Sequence, residues 1–327
     1  MSRRTAIRAA LGIAISVAAL AILLQSVDVG DALDVLRQAD LAIVLLMVVS
    51  VVLDVAARGA RWRALLASIR RLAYLRVLGY TFVGYLANNV LPARLGELVR
   101  SHALGEGEGM SRTTVLGTVV VERIVDTVIV VGLAAVSVVI LDVRGIVATG
   151  VVLGAVFVGI LVVGLVVAIL SHRLPGAERV SAAAERFPRI LDLARRLREG
   201  LAVVSRPGTV VAALGFSALA WTFSILTFVL GGRALGIELS PIEGALLSSG
   251  VALATIVPSG PGYLGTFELT AVGIATRVGV DADAAFAMAL LVHAMILLVT
   301  SVGGAVSALR LGVGLSTGSR DEEAAAS

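Results

Sequence analysis

Apolar residues run through this chain in long blocks, and the polar residues between them gather in a few short clusters. Residues 11–27, 41–57, 114–141, 146–170, 208–230 and 284–309 are dominated by Val, Leu, Ile and Ala. About 20 apolar residues in a helix are enough to cross bilayer hydrocarbon. These six blocks therefore predict six full membrane spans. Two further blocks, 77–91 and 244–257, are short for a crossing. Each runs into a polar stretch broken by proline. The first is Asn88-Asn89-Val90-Leu91-Pro92-Ala93-Arg94-Leu95-Gly96-Glu97-Leu98-Val99-Arg100, and the second runs from Pro258 through Gly260, Pro261, Gly262, Tyr263 and Gly265 to Glu268. After the first break, 94–102 is too polar to be exposed to lipid and 105–112 reads as a loop; after the second, the pattern predicts a short helix over 267–278.

The polar clusters assign sides. Residues 28–40 hold Asp28, Asp31, Asp34 and Asp40 against Arg37 alone, an acidic loop suited to the outside. Residues 58–76 hold six arginines and no acid, and residues 172–206 hold eight arginines against four acids. Cytoplasmic loops carry such an excess of basic residues, so both read as inside, the second with a surface helix. Trp62 and Tyr74 then fit an interfacial belt on a lipid-anchoring segment, with Asp54 free to reach the interface or pair with Arg58. Between the two basic loops lie two long blocks, one trip out and one back. The 77–91 block must therefore enter and leave from the same side, as a re-entrant hairpin with Pro92 near its tip. The same count makes the Pro258–Glu268 region a second hairpin, entering from the opposite face. A cleaved signal peptide is the rival reading of the basic start and first block. No convincing small-residue cleavage site follows it, so it is taken as a span with the N-terminus inside.

The two breaks also match in order. Leu95-Gly96-Glu97-Leu98 answers Leu264-Gly265-Thr266-Phe267-Glu268-Leu269, and Arg123 and His293 fall at matching places in the long helices that follow. The expected fold is an all-α polytopic membrane protein of about six spans and two re-entrant hairpins. It forms one domain over 1–311, with repeat 1 at about 5–141 and repeat 2 at about 146–310, and a disordered cytoplasmic tail over 312–327. Inverted-topology repeats of this kind carry their sites near the bilayer midplane, between broken helices.

Composition narrows the chemistry. The chain is 58% hydrophobic and 15% charged, against about 25% charged in a soluble domain, so its function belongs in or at the membrane. All 27 basic residues are arginine, which excludes a Schiff-base lysine and a Walker-type phosphate loop. There is no cysteine, and His102, His172 and His293 lie far apart, so neither a metal site nor a cofactor is expected. The arginine excess fits inside loops and anionic lipid and needs no nucleic-acid partner.

Charged groups at membrane depth cost about 2.5–3.5 kcal/mol each on insertion scales and mark function by default. Glu122 and Asp126 share a helix face, and Arg123 can pair with Asp126. They read either as a salt-bridge network that locks the hairpin or as ligand-binding groups. Arg94 and Arg100 offer planar donor forks suited to phosphate. Glu97 can orient one of them or accept a head-group ammonium. Asn88 and Asn89 can satisfy backbone freed at the break, or a ligand. In the second break, Pro258, Pro261, Gly260, Gly262 and Gly265 let the chain turn sharply, as Pro92 and Gly96 do in the first. Tyr263 lies within that break. Amides at the following helix start suit an anion, while Glu268 can cap that helix. His293 reads as a satisfied interior histidine or, less simply, as a proton relay.

These motifs, taken in order, carry a resemblance. Arg61-Trp62, the stretch Asn89 to Arg100, Glu122-Arg123-Ile124-Val125-Asp126 and the stretch Pro258 to Glu268 resemble the lysylphosphatidylglycerol synthase transmembrane-region family, also called the flippase-like domain family. The resemblance covers about 5–310. In bifunctional members this region moves an aminoacylated phospholipid between leaflets, and a soluble C-terminal domain makes that lipid. This chain ends shortly after its last span and is read as a stand-alone member. The resemblance implies a membrane lipid translocase for a phosphate-bearing lipid, in a bacterial or archaeal cytoplasmic membrane with both termini inside. It names neither the lipid nor the oligomeric state. The alternatives are a non-transporting subunit that partners a separate lipid-modifying enzyme, and a membrane-embedded lipid transferase. No nucleophile motif supports an enzyme.

Overall fold

The computed structural model describes residues 14–91, 95–145, 148–154, 156, 159–160, 207–255 and 259–313. Ten helices of ten residues or nearly so and longer are placed among them: α1 (Ala14–Leu23), α2 (Val29–Arg37), α3 (Leu41–Leu66), α4 (Tyr74–Val90), α5 (Gly96–Gly107), α6 (Arg112–Ile140), α7 (Pro207–Ala234), α8 (Pro241–Ala254), α9 (Thr266–Ala275) and α10 (Ala282–Leu311). Residues 148–154 are also helical. Four of these helices, α3, α6, α7 and α10, are long and apolar enough to cross a membrane. Most of the expected span 146–170, the start of the first span, the basic segment 172–206 and the tail beyond 313 lie outside the described residues.

Short polar side chains set the helix starts. Asp28, Asp40, Ser111 and Asp281 accept hydrogen bonds from the first free amides of α2, α3, α6 and α10. Ser240 and Glu243 form a reciprocal capping box at α8, with Pro241 in its first turn. Such caps are each worth about 1 kcal/mol. They also correct the reading of 28–40 as a loop. Two of its four aspartates are caps, and the segment between them is helix α2, packed on α10. The Asp28 amide donates to Asp283 at 2.7 Å and ties the two helix starts together.

The segment 58–76 is corrected as well. Helix α3 continues to Leu66, beyond the expected end at 57, because nothing in Arg58–Leu66 breaks it. Arg58, Arg61 and Trp62 are buried along it. Trp62 is not part of an interfacial belt: its indole donates to Thr118 inside the protein at 3.0 Å. Helix α5 likewise extends into the start of the expected 105–112 loop, to Gly107.

Packing falls into two matched units. In the first, α3 packs on α4, α4 on α5 and α5 on α6; in the second, α7 packs on α8, α8 on α9 and α9 on α10. The units interlock through the same exchange of partners. Helices α3 and α7 form the central contact, α4 lies on α10, and α8 lies on α6. Small residues permit these approaches, as between helices in lipid. A Cβ at Gly304 would stand 2.4 Å from the Leu86 Cβ, where α10 meets α4. At the α3–α7 contact, Ser50 donates to the Phe223 carbonyl at 2.8 Å and accepts from Thr227 at 3.2 Å. Outward faces stay apolar: Leu41, Val139, Val211 and Leu309 are all exposed. Large apolar side chains on the outside of long helices suit a hydrocarbon solvent.

Candidate functional site

Three helices deliver charge to one place inside the bundle, and a fourth adds neutral donors. On α3, Asp54, Arg58 and Arg61 follow at i, i+4 and i+7, which puts them on one face. Helix α5 supplies Glu97 and Arg100, and α6 supplies Glu122, Arg123 and Asp126. Helix α7 adds Ser217 and Trp221, four residues apart. Arg61 grips Asp126 through both terminal nitrogens, reaches Glu122 at 2.9 Å and donates to Ser217 at 2.9 Å. Arg100 donates to the same Glu122 oxygen at 3.0 Å and stacks over the Trp62 ring at 4.5 Å. Arg58 bonds Asp54 at 2.8 Å, lies 3.7 Å from Asp126 and covers the Trp221 ring at 5.1 Å. The Trp221 indole donates to Asp126 at 3.3 Å.

Arg123 differs from the other three guanidiniums. It reaches Glu122 at 2.8 Å and Asp126 at 3.3 Å, with Glu97 more distant at 3.9 Å. Its side chain is 41% exposed, against 10%, 0% and 6% for Arg58, Arg61 and Arg100. Its Nε, like that of Arg61, is buried with no hydrogen-bond partner among the described residues.

The exposed part of Arg123 faces a cavity of about 290 Å³. The first unit contributes Asn88, Glu97 and Arg123 to its wall, and the second contributes Tyr263, Phe267 and His293. Both helical breaks border it. Asn88 accepts from the Gly96 amide at 2.8 Å and closes the first break upon itself. Asn89 donates to Thr300 and Ser301 of α10, both at 2.9 Å. In the second break Pro261–Tyr263 forms a short 3-10 turn that packs on α4. Gly262 and Tyr263 both adopt positive φ there, 63° and 59°. Tyr263 is thus held in a conformation few side chains adopt. The Gly260 amide donates to Ser16 of α1 at 2.9 Å.

The second unit has its own ion-pair geometry. Glu268 accepts from the Gly265 amide at 2.6 Å with one oxygen and meets His293 Nδ1 at 2.5 Å with the other. Phe267 stacks on the His293 ring, with centroids 4.1 Å apart. Glu97 with Arg123 and Glu268 with His293 are therefore matched pairs. Each joins an acid in the first turns of the helix after a break to a basic group in the long helix that follows.

Of the expected site residues, the structure brings Asn88, Asn89, Glu97, Arg100, Arg123, Asp126, Tyr263 and His293 to this one cavity. Glu122 sits behind it among three guanidiniums. Glu268 caps its helix and holds His293, and Gly260, Gly262 and Gly265 shape the second break. Pro261 opens the 3-10 turn and Gly96 opens α5. Pro92, Arg94 and Pro258 lie outside the described residues. Arg58, Arg61, Ser217 and Trp221 were not among the expected site residues. Their signal was helical spacing: Asp54, Arg58 and Arg61 share a face of a helix with no breaker before Leu66.

Residues 9–304 match the family described as lysylphosphatidylglycerol synthase TM region. The chain belongs to this family. With its long apolar helices, it is an integral membrane protein. Glycosyltransferase AglD of Haloferax volcanii is 30% identical over 355 residues, a match that covers 97% of this chain and 56% of that relative. The chain thus spans little more than half the length of the curated relative it matches. No solved structure matches.

Proposed function

We propose that this family member moves lipids with a phosphate-bearing head group between leaflets, through the cavity where its two helical breaks meet. The observation that carries this is Arg123, a guanidinium 41% exposed at the wall of a cavity shared by both units. Backbone that leaves helical form at membrane depth is tolerated only where it is buried or lines a wet cavity. A guanidinium fork suits a phosphate oxygen pair. Arg58, Arg61 and Arg100 serve instead to hold the acids that orient Arg123. The cavity stands at the lower end of the range for small-ligand sites. It fits a head group, while acyl or isoprenoid chains remain against the apolar outer faces.

The matched packing of α3–α6 and α7–α10 supports the inverted-repeat reading, with about six spans, two hairpins entering from opposite faces and both termini cytoplasmic. The protein acts here as a translocator without chemistry of its own. The name of the Haloferax relative favours a second reading, a membrane-embedded transferase acting on a lipid phosphate. A cavity that offers a guanidinium to a phosphate head group serves that reading too. A non-transporting role beside a separate lipid-modifying enzyme is the third.

The test is transbilayer movement of fluorescent phosphatidylglycerol in proteoliposomes of the purified chain, followed by dithionite quenching. The wild type is expected to move the lipid and Arg123→Ala to lose at least tenfold in rate at unchanged melting temperature. Equal rates in the two proteins would overturn the reading. Appearance of a sugar-modified lipid by mass spectrometry, with no movement, would favour the transferase.

A further inference from the structure

Among the described residues, the charged cluster beside the cavity is balanced. Four guanidiniums, Arg58, Arg61, Arg100 and Arg123, are interleaved with four carboxylates, Asp54, Glu97, Glu122 and Asp126. An anion that enters this cavity therefore adds an uncompensated negative charge at a depth where such charge is costly. The acids do not share the burden equally. Glu122 touches three guanidiniums, Asp126 lies within 4 Å of three and also accepts from Trp221, and Asp54 is bonded to Arg58. Glu97 is 21% exposed, and among the described residues its ion-pair partner is Arg123 alone, at 3.9 Å.

We infer that this protein takes up one proton, on Glu97, for each singly charged anionic head group that binds at Arg123. The inference rests on the proposed function and adds the form of its coupling. When a phosphate oxygen engages Arg123, Glu97 loses its nearest cation and gains an anionic neighbour. A carboxylate in that position becomes neutral by binding a proton from solvent. The phosphate stays a monoanion, the proton resides on a Glu97 oxygen, and the charge of the cavity is unchanged by the pair of events. Other charged and titratable groups could compete. Arg100 on the same helix is held by Glu122. Tyr85 of α4, Tyr263 of the second break and His293 of α10 line the same cavity, the last already joined to Glu268. Arg94, three residues before Glu97, lies outside the described residues. Asp126 also lines the cavity and pairs with Arg123, but it keeps Arg58 and Arg61, whereas among the described residues Glu97 has Arg123 as its one ion-pair partner.

Calorimetric titration of the purified, detergent-solubilised chain with glycerophosphoglycerol tests this, because that phosphodiester carries one charge that does not titrate near neutrality. Binding heats are compared in two buffers of different ionisation enthalpy. The expected result is uptake of about one proton per ligand, with affinity weakening by about tenfold per pH unit on the alkaline side. In Glu97→Gln the uptake is expected to vanish and the affinity to become flat with pH. Wild-type binding with the same heat in both buffers overturns the coupling and leaves the proposed function standing. Uptake that persists in Glu97→Gln overturns the assignment to Glu97. A wild type that melts normally but does not bind the probe sinks the underlying reading and this inference with it. Should Glu97→Gln fail to fold, the wild-type comparison still decides whether a proton is taken up, and Glu97→Asp, which keeps an acid, is expected to retain the uptake.

Discussion

Arg61 and Asp126 meet through two guanidinium–carboxylate contacts, one of them 2.9 Å long, with the arginine wholly buried. They join α3 to α6, and Ser217 extends the link to α7. Removing one partner of a buried pair strands the other, at a cost of about 3–5 kcal/mol. Arg61→Ala also takes a cation from Glu122. It is expected to lower the melting temperature of the purified protein sharply, as read by tryptophan fluorescence. Arg61→Lys should restore little, since one ammonium cannot reproduce the forked contact. Normal melting of Arg61→Ala would show that the pair does not hold the bundle together.

The Glu268–His293 pair should behave as one unit. Its two members touch at 2.5 Å and are both buried, while Glu268 also caps α9. Glu268→Gln and His293→Gln each leave a buried group badly matched. In a double-mutant cycle, contacting residues of this kind show interaction energies of about 0.5–3 kcal/mol. The double variant is therefore expected to be more stable than the two single losses added together. Strict additivity would mean that the pair makes no joint contribution to the second unit.

Gly265 separates conformation from packing. Its φ is 82°, and a Cβ there would lie 2.4 Å from the Ser16 carbonyl oxygen of α1. Gly265→Ala is therefore strained twice, by backbone and by contact, and should destabilise by well over the ~1 kcal/mol typical of a single substitution. Gly273, in the same α9, has nothing among the described residues within 4 Å of where its Cβ would stand. Gly273→Ala should be neutral or stabilise by up to about 1 kcal/mol through helix propensity. Parallel melting of the two variants checks this. Similar losses in both would remove the assigned seat of α1 against the second break.

Much of the frame was legible along the chain because it rests on local rules. The long apolar blocks gave α3, α6, α7 and α10, and the proline-broken stretches marked where α4 and α8 end. Helices α6 and α10 begin at Arg112 and Ala282, in register with the Arg123–His293 match. Asp28 and Asp40 were misjudged because an acid in a loop and an acid on a helix cap look alike until the following amides are placed. The expected Asp54–Arg58 pair is present, but Arg61 was misjudged for a longer-range reason. A run of basic residues satisfies the positive-inside rule wherever it points. The acid that burial requires for Arg61 sits 65 positions away, on another helix. Arg100 shows a third limit. A guanidinium fork fits a carboxylate as well as a phosphate, so only the position of Glu122 reveals which one occupies it.

That ambiguity yields the sharpest contrast between stability and activity. Arg100 is 6% exposed, bonded to Glu122 and stacked on Trp62, a stacking worth roughly 0.5–2 kcal/mol by itself. Arg100→Ala should therefore cost stability first, and any loss of lipid movement should follow the loss of folded protein. Arg123 is 41% exposed. If it is removed, Glu122 keeps Arg61 and Arg100, and Asp126 keeps Arg61 and Arg58. Arg123→Ala should then cost little stability, because the remaining cations still compensate both buried acids. On a plot of melting temperature against translocation rate per folded molecule, Arg100→Ala is thus expected to move along the temperature axis and Arg123→Ala along the rate axis. Coincident positions would mean that the cluster acts as a single structural block and that Arg123 has no separate task at the cavity wall.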